Sequence, residues 1–428
     1  MNIAQEENKL ITYDGLLQRL ENNKRDHHLL LGNGFNISLK IDTSYENIFS
    51  KIKKSHPEYL SIEARLKEDN FDIEKLPRQL MEVISNASKS RYEFIKRRLE
   101  DEIKQDFIYA AMKIITEGFD KKDETFSNKG VFKLLDHFTN YFTLNYDPLL
   151  YLLLLEKIKL PEILALMNKN LFVSDQGEYI HPVYKYSKRV YFEIMRDWAK
   201  KEWSDYAIYA DYLIGKSYDH LTNEEKNSNG DNAQASHTHN DAEETPDLFD
   251  LPPVESSKET IPYDGFSRKE KYLYTFDASN QQNLYFLHGA FHIVERNNTI
   301  QRITRTEKST FQERVAQEVY TGWQKMVIVF SGTSEEKKNQ IQNSTYLEKG
   351  FDVLPTLSGD LTIFGSSLDK NDNHIFEQIN KSAVETIYLS SCSESYEEDK
   401  KRAKELFGNK KIVLFDYTTV SYTKTSTT

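Results

Sequence analysis

Four short stretches carry side chains able to do chemistry, each at the end of an apolar run. His27-His28-Leu29-Leu30-Leu31 breaks into Gly32-Asn33-Gly34-Phe35-Asn36, and Thr139-Asn140-Tyr141-Phe142-Thr143-Leu144 ends in Asn145-Tyr146-Asp147. Asn283-Leu284-Tyr285-Phe286-Leu287 runs into His288-Gly289, and Leu361-Thr362-Ile363-Phe364 into Gly365-Ser366-Ser367-Leu368-Asp369. Glycines at 32 and 34 let the backbone take positive φ and approach a ligand. The amides of such a turn and of the helix after it can hold a pyrophosphate. Taken alone, the two glycines equally describe a tight strand-to-helix turn that binds nothing, since only the first half of the dinucleotide fingerprint is present. An imidazole titrates near neutrality and so suits proton transfer, here at His288. Ligands of open α/β sheets bind beyond the carboxyl ends of the strands, which is where all four stretches place their polar groups.

Gly32-Asn33-Gly34-Phe35-Asn36, Thr143-Leu144-Asn145-Tyr146-Asp147, His288-Gly289 and Gly365-Ser366-Ser367-Leu368 resemble, in order, the four NAD-contacting motifs of the sirtuin superfamily. The nearer likeness is to the bacterial sirtuin-like proteins of anti-phage defence, many of which hydrolyse NAD. Asn70-Phe71-Asp72, Asp264-Gly265-Phe266, Leu287-His288-Gly289-Ala290-Phe291-His292 and Gly332-Thr333-Ser334-Glu335-Glu336-Lys337 resemble signatures of one branch of them. The resemblance implies an NAD glycohydrolase that releases nicotinamide and ADP-ribose as a defence effector. Asn145 would position the attacking water or the ribose hydroxyls, Asp147 would orient the ribose or stabilise positive charge, and His288 would accept a proton. NAD would be held by Gly32, Asn33, Gly34, Phe35, Asn36, Thr143, Gly365, Ser366 and Ser367. Asp42 and Tyr45 occupy the place of residues near the nicotinamide end, although the family's usual Gly-Pro is missing there; a helix cap is the other reading of Asp42 or Thr43. Two further functions stay open: a catalytically silent NAD-binding or nucleotide-binding sensor or scaffold, and an ADP-ribosyltransferase. An NAD-destroying enzyme must be restrained, so the expected partners are further copies of the chain or a separately encoded sensor or regulatory subunit.

The chain has 428 residues, with 56 basic and 67 acidic side chains for a net charge of −11. That balance argues against a general nucleic-acid surface, and direct nucleic-acid binding is not expected. Cys392 is the only cysteine, which excludes an intrachain disulfide and the four-cysteine zinc module of protein-deacetylating sirtuins. His27-His28 and His237-Thr238-His239 lack the carboxylate or thiolate companions of a metal site, so no metal is expected. No apolar run reaches the length of a membrane span, Met1 to Asn8 lacks the apolar stretch of a signal peptide, and a cytoplasmic protein is expected.

The elements that must position these residues alternate. Tyr13, Leu16, Leu17 and Leu20 mark an amphipathic helix before the first strand. From Ser55 to Asp120 the apolar spacing is helical, through Phe107, Ile108, Met112 and Ile115. Strands are expected over Leu284 to Leu287, Met326 to Phe330, Leu361 to Phe364, Val384 to Leu389 and Ile412 to Phe415. Helices are expected over Ser309 to Tyr320, Lys337 to Tyr346, Asn371 to Ser382 and Glu398 to Leu406. This βαβ rhythm predicts an α/β fold: a Rossmann-like, mostly parallel sheet flanked by helices, with a large helical insertion or second helical subdomain. Residues 1–50, 131–150 and 262–428 would build the Rossmann-like domain. Residues 51–130 would form a helical insertion, 151–216 a helical region and 217–261 an acidic, low-complexity, disordered loop.

Overall fold

A computed structural model describes residues 10–55, 63, 67, 105–118, 128–157, 263–270, 273–279, 281–304, 311–321, 325–329 and 332–422. The chain clusters into two compact units, Met1–Leu150 with Pro262–Thr428, and Tyr151–Ile261. Most of the expected insertion, including Asn70-Phe71-Asp72, lies outside the described residues, as does nearly all of the second unit.

The strands, in chain order, are β1 (Ile11–Thr12), β2 (His27–Leu31), β3 (Asn140–Thr143), β4 (Phe266–Glu270), β5 (Leu273–Phe276), β6 (Leu284–Phe286), β7 (Gly289–Arg296), β8 (Thr299–Arg302), β9 (Lys325–Ile328), β10 (Ser358–Phe364), β11 (Ala383–Ser391) and β12 (Lys411–Asp416). The helices are α1 (Tyr13–Asn22), α2 (Asn33–Ser38), α3 (Tyr45–Ser55), α4 (Asn128–Leu135), α5 (Leu149–Lys157), α6 (Phe311–Thr321), α7 (Ser334–Gln342), α8 (Thr345–Val353), α9 (Asn373–Lys381) and α10 (Tyr396–Phe407). Residues 105–118 are also helical, burying Phe107, Ile108, Met112 and Ile115 as their spacing predicts.

Seven strands form one parallel sheet in the order β1-β12-β11-β10-β2-β3-β6. This is the α/β, Rossmann-like architecture the sequence predicts. Strand β2 is buried along its whole length, which is why His27–Leu31 reads as a run rather than an alternation. Its two histidines bond locally, His27 Nε2 to the Asn23 carbonyl at 3.1 Å and His28 Nε2 to the Ser358 carbonyl at 2.8 Å. In α1 the buried residues are Tyr13, Leu16, Leu17 and Leu20, and the Thr12 hydroxyl caps the helix by accepting from the Gly15 amide.

The rhythm misassigns one part of the chain. Met326–Phe330 does not extend the parallel sheet; β9 lies in a separate antiparallel sheet ordered β4-β5-β8-β7-β9. The reason is a two-residue hairpin at Asn297-Asn298, both with positive φ (50° and 59°), which folds β8 back on β7. Such a turn matches the twist of paired strands. The single helix expected over Lys337 to Tyr346 is two, α7 and α8, broken at Asn343-Ser344.

The two sheets meet at Gly289. Its φ of +76° and its contact with the Val327 backbone leave no room for a Cβ. The chain leaves β6 through Leu287-His288 and enters β7 directly, and the His288 carbonyl accepts from the Val329 amide at 2.9 Å. His288 is thereby fixed between the sheets.

The antiparallel sheet encloses an ion pair between Asp264 and Arg302, whose side chains are only 2% and 1% exposed. The guanidinium also lies over the Phe266 and Tyr274 rings, at 5.4 and 5.0 Å from their centroids. Asp264-Gly265-Phe266 therefore serves the fold. Replacing Asp264 with Ala strands a buried cation and should lower stability by about 3–5 kcal/mol. Urea denaturation checks this, and an unchanged midpoint would contradict it.

Candidate functional site

A cleft of about 650 Å³ opens at the carboxyl ends of β10, β2, β3 and β6. The strand order reverses between β2 and β10, the crevice where sheets of this class take ligands. Gly32, Asn33 and Gly34 line it after β2, Asn145 and Asp147 after β3, His288 after β6, and Gly365, Ser366 and Ser367 after β10. Tyr45 joins them from the first turn of α3. Four other candidates do not line it. Phe35 is in the core against Phe364. Asn36 and Thr143 are buried behind the wall. Asp42 is exposed and accepts from the Ser44 amide at 3.0 Å, a local turn contact.

Asn36 earns its place as a hub. Its Nδ2 donates to Asp147 Oδ2 at 2.7 Å and to Thr43 Oγ1 at 3.1 Å, while its Oδ1 accepts from Asn145 Nδ2 at 3.2 Å. The Thr43 hydroxyl in turn donates to Asn33 Oδ1, and its carbonyl accepts from Asn33 Nδ2 at 3.0 Å. Thr143 Oγ1 accepts from the Asn145 amide at 3.0 Å. Asp147 Oδ1 accepts from the Leu149 amide at 2.9 Å, so this carboxylate caps α5 and orients Asn36 at once. Burial pushes its pKa up, against the pull of those donors, which favour the ionised form.

The glycine turn does a different job from the one its sequence suggests. The Gly32 amide donates to the Phe364 carbonyl and the Gly34 amide to the Gly365 carbonyl, both at 2.9 Å, and the Phe35 amide to Gly32 at 3.1 Å. A Cβ at Gly34 would lie 2.7 Å from Gly365 Cα. These amides are committed to other backbone, and α2 has only six residues. The turn after β2 is thus interlocked with the turn after β10, and its expected pyrophosphate contacts through Gly32, Gly34 and Phe35 amides are not available.

His288 is 2% exposed. Its Nε2 is 3.4 Å from Nε2 of His374 and 3.7 Å from Asp372 Oδ1. His374 Nδ1 lies 3.1 Å from the Ser334 hydroxyl, which accepts from the His374 amide at 2.8 Å. Lys337, 4% exposed, reaches Asp372 Oδ1 at 3.2 Å. Burial first, then the Lys337 ammonium, holds His288 well below the ordinary histidine range, against a hydrogen bond to the Leu144 backbone. Burial and neighbouring His288 push His374 down to about 3. Running up to His288, whose ring centroid is 6.3 Å from that of Tyr146, the rings of Tyr45, Phe107, Phe291 and Tyr146 form a continuous aromatic row, with successive centroids 5.9, 6.3 and 6.1 Å apart.

Sequence reasoning missed Asp372, His374 and Phe107, and quoted Lys337 only inside a motif. No local pattern marks them, because each comes from a different helix or turn. Within that motif, Thr333 and Glu336 form a reciprocal capping box that starts α7. Among the described residues no cluster of three His, Cys, Asp or Glu side chains is arranged to hold a metal, and no helix is long and apolar enough to cross a membrane.

A parallel α/β sheet with a polar cleft at its switch point defines a Rossmann-like fold. Residues 256–406 match the model of a domain of unknown function, DUF4917. The matched segment carries His288, Lys337, Gly365, Asp372 and His374, and leaves Gly32 to Asn36 and Asn145 outside it. A search of curated proteins finds no match.

Gly365, at φ +75° against the Gly34 backbone, tolerates no side chain. Gly365→Ala should cost about 1–3 kcal/mol from the backbone conformation alone, with the clash added; thermal unfolding measures it, and a wild-type Tm would refute the interlock. The buried histidines set a pH dependence. His288, His292 and His374 are held below 6.5, the last two at about 3. Below an unfolded-state pKa of about 6.5 the unfolded chain takes up protons that the fold refuses, so stability is full above it. It then falls towards the folded values by up to ~1.4 kcal/mol per pH unit for each group. The urea midpoint should drop between about pH 7.5 and about pH 5.5, and His374→Gln should shrink the drop; a flat profile would contradict the burial.

Proposed function

We propose that the protein is an NAD glycohydrolase, cleaving NAD to nicotinamide and ADP-ribose. The observation that carries this reading is the convergence of four distant segments on one cleft, with Asn145, Asp147 and His288 at its wall. The aromatic row suits a planar ring, and the cleft volume suits a ligand of dinucleotide size. In the reaction the bond from ribose C1′ to the nicotinamide nitrogen breaks, and its electron pair neutralises the ring. A water oxygen bonds to C1′, and the water's proton leaves through His288. Asn145 has its NH2 turned inward, to Asn36 and to the Gly32 carbonyl at 3.4 Å, which leaves Oδ1 to accept from the water or a ribose hydroxyl. Asp147 acts through the Asn36 hub, and its negative charge favours the oxocarbenium-like transition state.

One observation favours a nucleotide-binding sensor without turnover. His288 Nε2 already faces His374, and its basicity is depressed. In the hydrolase reading that contact opens when the ligand binds, and release is controlled by self-assembly or a separately encoded subunit, as in the defence role the motifs suggest. Pure protein incubated with NAD, alone and with proteins encoded beside it, should release nicotinamide. Asn145→Ala and His288→Ala should each lower the rate by about 100-fold or more at unchanged folding. Full activity in both variants would dismiss the assignment, and labelled macromolecule in place of free ADP-ribose would point to transfer.

A further inference from the structure

The interlocked glycine turn leaves open what meets the ligand's phosphates. Among the described residues lining the cleft, Lys337 is the one buried cation; Lys67 is largely exposed. Local stability does not explain it. Lys337 sits in the first turns of α7, where the capping box already serves the helix amides and a cation opposes the helix dipole. Burying an ammonium is costly unless it is paired. Its partner, Asp372, also lines the cleft, from a single 3-10 turn (Lys370–Asp372), and its side chain is 18% exposed.

We infer that Lys337 receives the phosphate charge of the ligand, with the Asp372 carboxylate holding that position until a phosphate oxygen displaces it. Carboxylate and phosphate oxygens make equivalent charge-assisted hydrogen bonds to an ammonium, so the exchange keeps Lys337 paired. Asp372 is on a short, partly exposed turn and can give way to solvent. The same exchange draws its Oδ1 from its place 3.7 Å from His288 Nε2, linking phosphate binding to the surroundings of the imidazole. This deepens the NAD reading and rests on it for the identity of the ligand.

Calorimetric titration of the full chain with NAD, ADP-ribose, inorganic pyrophosphate and adenosine tests it. Lys337→Met should weaken ADP-ribose about 10- to 100-fold and leave adenosine unchanged. Asp372→Asn removes the competitor and should tighten ADP-ribose severalfold, whereas a purely structural ion pair would weaken binding in both variants. Unaltered ADP-ribose affinity in folded Lys337→Met, or weakening by Asp372→Asn, overturns the inference. Should Lys337→Met not fold, Asp372→Asn decides by the same sign. Pyrophosphate binding that depends on Lys337, without NAD or ADP-ribose binding, keeps the inference and removes the dinucleotide reading. NAD binding indifferent to Lys337 does the reverse, and a wild type that binds no phosphate compound overturns both.

Discussion

The cleft depends on a contact between two stretches of backbone. Gly32 and Gly34 after β2 press against Gly365 after β10, carbonyl to amide, at distances no Cβ permits. The two strands are neighbours in the sheet, on either side of the point where the strand order reverses. The two turns are tied to each other, and the tie fixes the floor of the cleft. Gly365 is further anchored by its own amide, which donates to Ser390 Oγ on β11 at 2.9 Å.

From that floor the polar groups are held by reach rather than by sequence proximity. Asn36 connects the β2 turn to the β3 turn through Asp147 and Asn145. On the far side, Gly289 passes the chain from one sheet to the other and leaves His288 at the seam, where Ser334, Lys337, Asp372 and His374 close around it. A cluster this buried keeps its imidazoles neutral at neutral pH. In that cluster Nε2 of His288 faces Nε2 of His374 at 3.4 Å.

Much of this was legible in the sequence because strand ends announce themselves. An apolar run followed by Gly, Asn, Asp or His gave four loops, and the parallel order of their strands brought ten of fourteen candidates to one cleft wall: Gly32, Asn33, Gly34, Tyr45, Asn145, Asp147, His288, Gly365, Ser366 and Ser367. Phe35, Asn36, Asp42 and Thr143 fell elsewhere because adjacency in the chain says nothing about the side of the wall a residue faces. The antiparallel sheet was hidden because β8 carries a single apolar residue, Ile300, and its turn, Asn297-Asn298, lacks the glycine that marks a hairpin. Lys337 and His374 read as ordinary helix residues, and only tertiary packing makes them neighbours. Gly32 and Gly34 were singled out for positive φ and close approach to a ligand; neither takes positive φ, and what approaches them is the protein's own backbone.

The charges around the cleft constrain how any ligand lies in it. Glu46, Asp147, Asp369 and Asp372 face it against Lys67 and Lys337, an acidic excess that disfavours a uniformly anionic ligand. A molecule with both a cationic ring and anionic phosphates fits such a field only in one orientation. Anionic groups are favoured near Lys67 and the buried Lys337 ammonium, and positive charge beside the carboxylates. Asp147 belongs to the β3 turn and Lys337 to α7, so the two signs of charge reach the cleft from different elements. Under the proposed NAD reading, the ring lies towards Asp147 and the phosphates towards Lys337, so that each end of the ligand meets the charge that favours it.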